Sequence, residues 1–250
     1  MSHGSLSIVG LGPGASELLT QEAQAFIAEG ERFYGYQPYL DRLSLGEGQQ
    51  AIASDNREEA SRARKALDAA LEGYRVVVVS GGDPGVFAMA SAICEQIEAG
   101  PDGYRRLAVN VVPGITAMLA AAAACGAPLG HDFCCLSLST NLKPWHVIEK
   151  RLMAAAEAGL AMAFYNPISR ARPWQLGAAF DVLRQTLGPD TVVILARAIS
   201  RSDQHIQVST LAEVQPEWAD MATLVIVGSA MTRMIERPEQ APLVYSPRHW

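Results

Sequence analysis

Strand-like and helix-like runs alternate along almost the whole chain, and in its first half three strands end in loops that contain glycine. That alternation is the mark of an α/β fold with mostly parallel sheets, because each strand–helix–strand unit brings the chain back to the same end of the sheet. A strand over 6–9 leads through Gly10-Leu-Gly-Pro-Gly14 toward a helix over 20–29, where Ala23, Phe26, Ile27 and Gly30 fall at helical spacing and Thr20 is the N-cap. A strand over 75–79 leads through Ser80-Gly-Gly-Asp-Pro-Gly85 toward a helix with Val86, Met89, Ala90, Ile93 and Ile97 as its buried stripe. A strand over 107–112 leads through Pro113-Gly114 toward an alanine-rich helix over 115–125, and a further helix over 57–72 precedes the second unit.

After Gly126-Ala-Pro128 the pattern continues with strands over 133–139, 160–165, 191–199, 205–209 and 221–227 and helices over 145–158 and 173–187. The short polar connection Ser200-Arg-Ser-Asp-Gln204 predicts an antiparallel pair between the strands it joins. The expected architecture is two α/β domains of similar size, 1–115 and 116–250, with a ligand cleft between them.

Composition narrows the function. Lys plus Arg number 20 against 26 for Asp plus Glu, whereas a protein that tracks a phosphate backbone carries a basic excess, so nucleic acid is not the expected partner. Cys94, Cys125, Cys134 and Cys135 contain no C-x-x-C pair, and the adjacent two point to opposite faces of a strand. With His3, His131, His146, His205 and His249 scattered, buried reduced thiols are expected rather than a metal site. No basic, apolar leader opens the chain, and no apolar run approaches the roughly 20 residues of a membrane helix. A cytoplasmic protein is expected.

Gly10-x-Gly12-x-x-Ala15 satisfies a permissive dinucleotide fingerprint. Two features count against that reading. The helix begins at Thr20 rather than directly after the glycines, and the second strand, Arg32-Phe-Tyr-Gly-Tyr36, ends without an acid for a ribose hydroxyl. One glycine loop is ordinary turn chemistry; three at the carboxyl ends of strands in one half of the chain point to a shared ligand site, with glycines that let backbone approach the ligand. Asp83 suits an amino group or a ribose hydroxyl, and no lysine in these loops serves a triphosphate.

These loops, read in order as Gly10-x-Gly12-Pro13-Gly14 with Leu18-Leu-Thr20, Ser80-Gly-Gly-Asp-Pro-Gly-Val-Phe87 and Val112-Pro-Gly-Ile-Thr-Ala117, resemble the signature loops of the tetrapyrrole (corrin/porphyrin) methylases. The resemblance covers nearly the whole chain. It implies a homodimer with S-adenosylmethionine in the cleft between the domains, held by Pro13, Gly81, Gly82, Asp83, Val86, Thr116 and Ala117, with Asn166 and Ala198 contributing largely through backbone. Gly35-Tyr-x-x-Tyr39, the 127–133 and 165–176 segments, Thr223-Leu-Val-Ile-Val-Gly228 and Val244-Tyr-Ser-Pro-Arg248 are similar to the branch that serves cobalamin biosynthesis. That branch implies methylation of precorrin-3B at carbon 17 with ring contraction to precorrin-4. Relatives acting on uroporphyrinogen carry Asp where this chain has Gly35, which separates it from them.

Ring contraction moves a hydroxyl proton, and His131, Asp132 and Asp203 are the candidate acid–base groups, each of which is equally readable as a turn cap or surface charge. A tetrapyrrole precursor bears many carboxylates, so an acidic chain needs a local basic face. Residues 143–201 hold eight bases and four acids, and Arg170, Arg172, Arg197 and Arg201 lie in loops where a guanidinium can fork onto a carboxylate. Lys150, Arg151 and Arg184 read as solvated helix faces. Tyr36 and Tyr39, with Tyr34 and less so Trp145 and Trp174, are candidates to line a flat macrocycle cleft, although such aromatics more often pack. A family sibling with another ring position or acceptor, and a dinucleotide-binding oxidoreductase, remain the competing readings.

Overall fold

The structure, a computed structural model, describes residues 4–55 and 58–249, so His3 and the expected start of a helix at Arg57 lie outside the described residues. The chain divides into two compact units, Met1–Thr116 and Ala117–Trp250.

The first unit runs β1 (Ser5–Gly10), α1 (Gln21–Glu29), β2 (Arg32–Tyr36), α2 (Gln37–Leu40), β3 (Gln50–Ser54), α3 (Glu59–Leu71), β4 (Arg75–Ser80), α4 (Met89–Ala99) and β5 (Ala108–Val112). Its strands form one sheet in the order β3-β2-β4-β1-β5, with every pairing parallel. Strands buried on both faces need continuous apolar runs, which explains the four consecutive valines of β4. Val76 and Val78 join Leu6, Ile8, Leu67 and Ile93 beneath α3 and α4; Val77 and Val79 join Val9, Phe33, Ala23 and Leu40 beneath α1 and α2.

That division of helices positions the loops. After β1 the chain turns onto the α1 face, and after the adjacent β4 it turns onto the opposite face, to α4. Chains that part in opposite directions from neighbouring strands leave a crevice at the strands' carboxyl ends. The Thr20 hydroxyl accepts from the Ala23 amide at 3.1 Å, so α1 begins where the sequence places its cap.

Arg62 on α3 is 3% exposed. It donates to the Ser54 hydroxyl at 2.7 Å and the Asp55 carbonyl at 2.7 Å, fastening the end of β3, and burial pulls its guanidinium below the ordinary arginine range.

The second unit runs α5 (Ala117–Cys125), β6 (Gly126–Ala127), β7 (Phe133–Ser137), α6 (Trp145–Glu157), β8 (Ala161–Tyr165), α7 (Gln175–Leu183), β9 (Val192–Arg197), β10 (His205–Thr210), β11 (Thr223–Val227), β12 (Arg233–Arg237) and β13 (Gln240–Tyr245). The main sheet has the order β10-β9-β11-β8-β7, parallel only between β7 and β8; a smaller sheet orders β12-β13-β6. The antiparallel β9–β10 pair places His205 opposite Arg197, as the short polar connection requires. Cys134 packs on the α6–α7 face and Cys135 on the α5 face, the alternation expected of neighbours in a strand. The expectation of buried thiols is met in full by Cys125 alone; Cys134 and Cys135 are half-buried, and Cys94 is exposed on α4.

Among the described residues, no helix is long and apolar enough to cross a membrane.

Candidate active site

In the first unit the three glycine loops converge on one another. Gly12 and Gly82 exchange backbone hydrogen bonds, N–H to carbonyl at 3.1 and 2.9 Å, and both adopt left-handed backbone. A Cβ on Gly10 would lie 2.7 Å from the Gly82 carbonyl oxygen and 2.8 Å from the Gly114 nitrogen. Gly10 and Gly114 therefore make room for each other's backbone and for that of Gly82. At Gly10 and Gly114 the space that a glycine leaves is filled by the chain's own backbone and not kept for a ligand.

Asp83 fastens the same assembly. One carboxylate oxygen accepts from the Gly85 amide at 2.8 Å and the other from the Gly114 amide at 3.0 Å, joining the second loop to the third. Each oxygen keeps a further lone pair for a ligand. Arg42, which the sequence analysis did not single out, secures the first loop. Its guanidinium donates to the Leu11 carbonyl at 2.5 Å and reaches the Gly12 and Gly14 carbonyls at 3.3 to 3.4 Å. No motif surrounds Arg42, so nothing local announces this role.

Two expected helix starts shift here. Val86 does not join the α4 stripe: its amide bonds the Asp83 carbonyl at 3.2 Å in a turn, and Phe87 at φ 53° precedes the helix that opens at Met89. Likewise α5 opens at Ala117 rather than 115, leaving Thr116 buried in the preceding loop. Pro13 is buried within the first loop. Tyr39 packs its ring over Gly81, within 2.7 Å of where a Cβ would stand, and meets Tyr36 edge-on at 5.7 Å. Gly35 has Val79 2.5 Å from a would-be Cβ, so a larger residue has no space there.

In the second unit, Asn166 follows β8 at φ 50° and Ala198 follows β9 at φ 47°, both in the left-handed region that side chains disfavour. Asn166 donates to the Ser137 hydroxyl at 3.0 Å, and its carbonyl accepts from Gln175 at 2.9 Å. Gln175, only 1% exposed, also donates to the Leu138 carbonyl at 3.0 Å, tying the loops after β7 and β8 together. The Tyr165 hydroxyl accepts from the Met118 amide at 3.1 Å, capping α5 from the end of β8. Gln175 and Tyr165 stand inside segments quoted for the family resemblance, but their spacing gave no hint of these bonds.

The acid–base candidates separate into two groups. His131 and Asp132 are exposed, with Nδ1 and the carboxylate 3.9 Å apart. Asp203 instead pairs with Arg197 at 2.9 Å, and Arg197 also grips Asp220 at 2.7 Å. Arg197 holds the Asp203 carboxyl below its ordinary range. For Asp220 burial works upward, but the bonds from Arg197, the Thr223 hydroxyl and the Ala222 amide outweigh it and leave the value lowered. Carboxylates lowered on folding contribute stability above their unfolded value of 3.8 and lose it as pH falls through the folded value. Arg197→Met is therefore expected to reduce stability at neutral pH and to approach the parent as pH falls through the lowered folded values of the two carboxylates, read by urea melts across pH.

Arg170 and Arg201 are exposed at loop tips and Arg172 is half-buried; among the described residues none of the three forms a salt bridge, although the charge of Arg201 helps to lower the Asp203 carboxyl. Arg184, read as solvated, bonds the Leu211 carbonyl and Asp181. Trp145 and Trp174 pack edge-on at 4.9 Å. Among the described residues, no group of three or more His, Cys, Asp or Glu could hold a metal ion.

Residues 5–215 match the family described as tetrapyrrole (corrin/porphyrin) methylases. The chain belongs to the tetrapyrrole methylases. A methylase from Sinorhizobium sp, described as precorrin-3B C(17)-methyltransferase, is 55% identical over 247 residues, 99% of this chain and 97% of that one. The crystal structure of the methyltransferase CobJ superposes with a TM-score of 0.94 at 50% identity, covering 98% of this methylase and 100% of that chain. A uroporphyrin-III C-methyl transferase from Thermus thermophilus, complexed with S-adenyl homocysteine, shares the fold at a TM-score of 0.69 and 24% identity, over 91% of this chain and 98% of its own.

Proposed function

We propose that this methylase transfers a methyl group from S-adenosylmethionine to carbon 17 of precorrin-3B, with contraction of the ring to precorrin-4. The observation that carries the reading is the 55% identity to a precorrin-3B C(17)-methyltransferase across 99% of one chain and 97% of the other. Gly35, with Val79 and Leu40 against it, favours this branch over relatives that need an aspartate there.

The first-unit loops fit the methyl donor by their chemistry. Apart from the Asp83 carboxylate they are neutral backbone and mostly small side chains at a parallel sheet's carboxyl edge, and the nearby cation, Arg42, is turned onto loop carbonyls rather than toward a sulfonium. We assign the donor to Pro13, Gly81, Gly82, Asp83, Val86 and Thr116 of the first unit. When bound, S-adenosylmethionine supplies an activated methyl on a sulfonium, so the residues around it need chiefly to position it. Arg42 and Asp83 serve that end by fixing the loops before any ligand arrives, which lowers the ordering cost of binding. Tyr36 and Tyr39, beside the second loop, present ring faces to the macrocycle.

Arg170, Arg172 and Arg201 are assigned to its carboxylates, whereas the charge of Arg197 is already met by Asp203 and Asp220. For the ring-contraction proton, Arg197 keeps Asp203 ionised, so that residue can only accept; His131 beside Asp132 is the alternative relay. The proposal includes a cytoplasmic location and a homodimer. Leu119 on α5 and Met234, Ile235 and Leu243 on the β12–β13 hairpin are exposed apolar residues that a second copy would cover.

Calorimetry tests the cofactor half. S-adenosylhomocysteine is expected to bind with a dissociation constant in about the nanomolar-to-micromolar range, while NAD gives no heat. NAD binding without S-adenosylhomocysteine binding would return the chain to the dinucleotide reading.

A further inference from the structure

Among the described residues, the buried side-chain polar atoms that lack a hydrogen-bond partner are Ser169 Oγ and Arg172 Nε, in the loop between β8 and α7, and Gln175 Oε1, on the first residue of α7. Buried polar groups are rarely left unpaired, so such a cluster calls for a partner from outside the chain. The loop is built rather than loose. Ser169 and Arg172 close a tight turn, with the Arg172 amide on the Ser169 carbonyl at 3.0 Å and the reverse bond at 3.4 Å, which sets their side chains beside one another.

The Arg172 guanidinium is also oriented. Nη1 donates to the Thr140 hydroxyl at 3.2 Å and to Asn141 Oδ1 at 2.5 Å, while the Nε–Nη2 edge makes no bond to any described residue. That edge offers two parallel N–H groups at the spacing of the two oxygens of a carboxylate. Gln175 does not meet it: its Oε1 is an acceptor, but that oxygen and Arg172 Nε both stand without a partner, while the Gln175 amide nitrogen is held by the Leu138 and Asn166 carbonyls. Lys143, in the loop that carries Thr140 and Asn141, has no carboxylate partner among the described residues, and burial together with the charge of Arg151 holds its amine below the ordinary range.

We infer that the turn at 169–172 is a carboxylate-binding site, in which the Nε–Nη2 edge of Arg172 and the Ser169 hydroxyl receive one acetate or propionate arm of the tetrapyrrole. The inference rests on the proposed substrate and names one anchor for it. Arg172 is a binding residue here, Thr140 and Asn141 are positioning residues, and no bond is made or broken.

The test is steady-state kinetics with precorrin-3B, joined to calorimetry with S-adenosylhomocysteine. Arg172→Ala is expected to raise KM for the tetrapyrrole about 10- to 100-fold, the effect of losing a charge-assisted bidentate pair, with kcat changed far less and S-adenosylhomocysteine affinity unchanged. Arg172→Lys should recover little of the loss, because a point charge lacks the fork. Ser169→Ala, which leaves the guanidinium in place, should raise KM by a few-fold. In a set of singly amidated tetrapyrroles, one isomer should bind the parent more weakly yet bind Arg172→Ala no worse than the free acid does. An unchanged KM in Arg172→Ala, or an amidation penalty that the substitution does not remove for any isomer, overturns the carboxylate site alone. Failure of the parent chain to methylate the tetrapyrrole at all overturns it together with the functional reading.

Discussion

Replacing Gly10 by alanine is expected to destabilise the protein by about 1–3 kcal/mol or more and to lower its affinity for S-adenosylhomocysteine at least about tenfold. The added methyl would meet the Gly82 carbonyl oxygen at 2.7 Å, the Gly114 nitrogen at 2.8 Å and the Gly114 Cα at 2.9 Å. All three are backbone atoms, so no side chain can rotate away. The loops cannot part cheaply either, because Gly12 and Gly82 exchange two hydrogen bonds and Asp83 holds the Gly114 amide. Gly188→Ala is the control, since nothing lies within 4 Å of its Cβ position, and it should behave as the parent in both urea unfolding and calorimetry. Parent-like binding by Gly10→Ala would show that the loop packing does not shape the donor site.

Removing the Asp83 carboxylate is expected to have the second largest effect. In Asp83→Ala the Gly85 and Gly114 amides lose their acceptor, and the second and third loops lose their link. Hydrogen bonds to a charged acceptor contribute about 1.5–3 kcal/mol each when water is excluded, and the Gly85 bond is exposed, so a total near 2 kcal/mol is expected. Donor affinity should fall about tenfold or more, because the loops must then be ordered on binding. Asp83→Asn should rescue only partly, since its amide nitrogen cannot accept from the second backbone N–H. If Asp83→Ala binds S-adenosylhomocysteine as the parent does, the carboxylate serves stability and not the donor.

These two residues show how far the sequence could be read. Features set by local chemistry were legible. Thr20 followed by a helical stripe places the α1 cap, Cys134 and Cys135 divide between two faces, and the polar 200–204 connection gives the β9–β10 hairpin. Shape set between distant segments was not. The mutual packing of Gly10, Gly82 and Gly114, and the reach of Arg42 across about thirty residues to the first loop, depend on strand order that no single stretch encodes.

Elements with weak burial also escaped. The β12–β13 hairpin exposes Arg233, Met234, Ile235 and Glu236 in succession, so it lacks the alternation by which a half-buried strand is recognised. The edge strand β3 has the same difficulty, with Gln50, Ala51 and Ala53 exposed. Phe87 illustrates a third limit, for a bulky residue in left-handed backbone breaks a helix that the apolar spacing had carried back to Val86. In the site itself, the ordered set of three loops identified the family, while the division of labour among its arginines needed the partners of Arg197 and Arg172 to be seen.

The central claim is methyl transfer to carbon 17 of precorrin-3B with ring contraction. Incubation of the protein with precorrin-3B and S-adenosylmethionine labelled in its methyl group, followed by mass and optical spectra, tests it directly. The account predicts one labelled methyl per macrocycle together with the spectrum of the contracted ring. An unlabelled macrocycle, or a labelled one with the ring uncontracted, would contradict it.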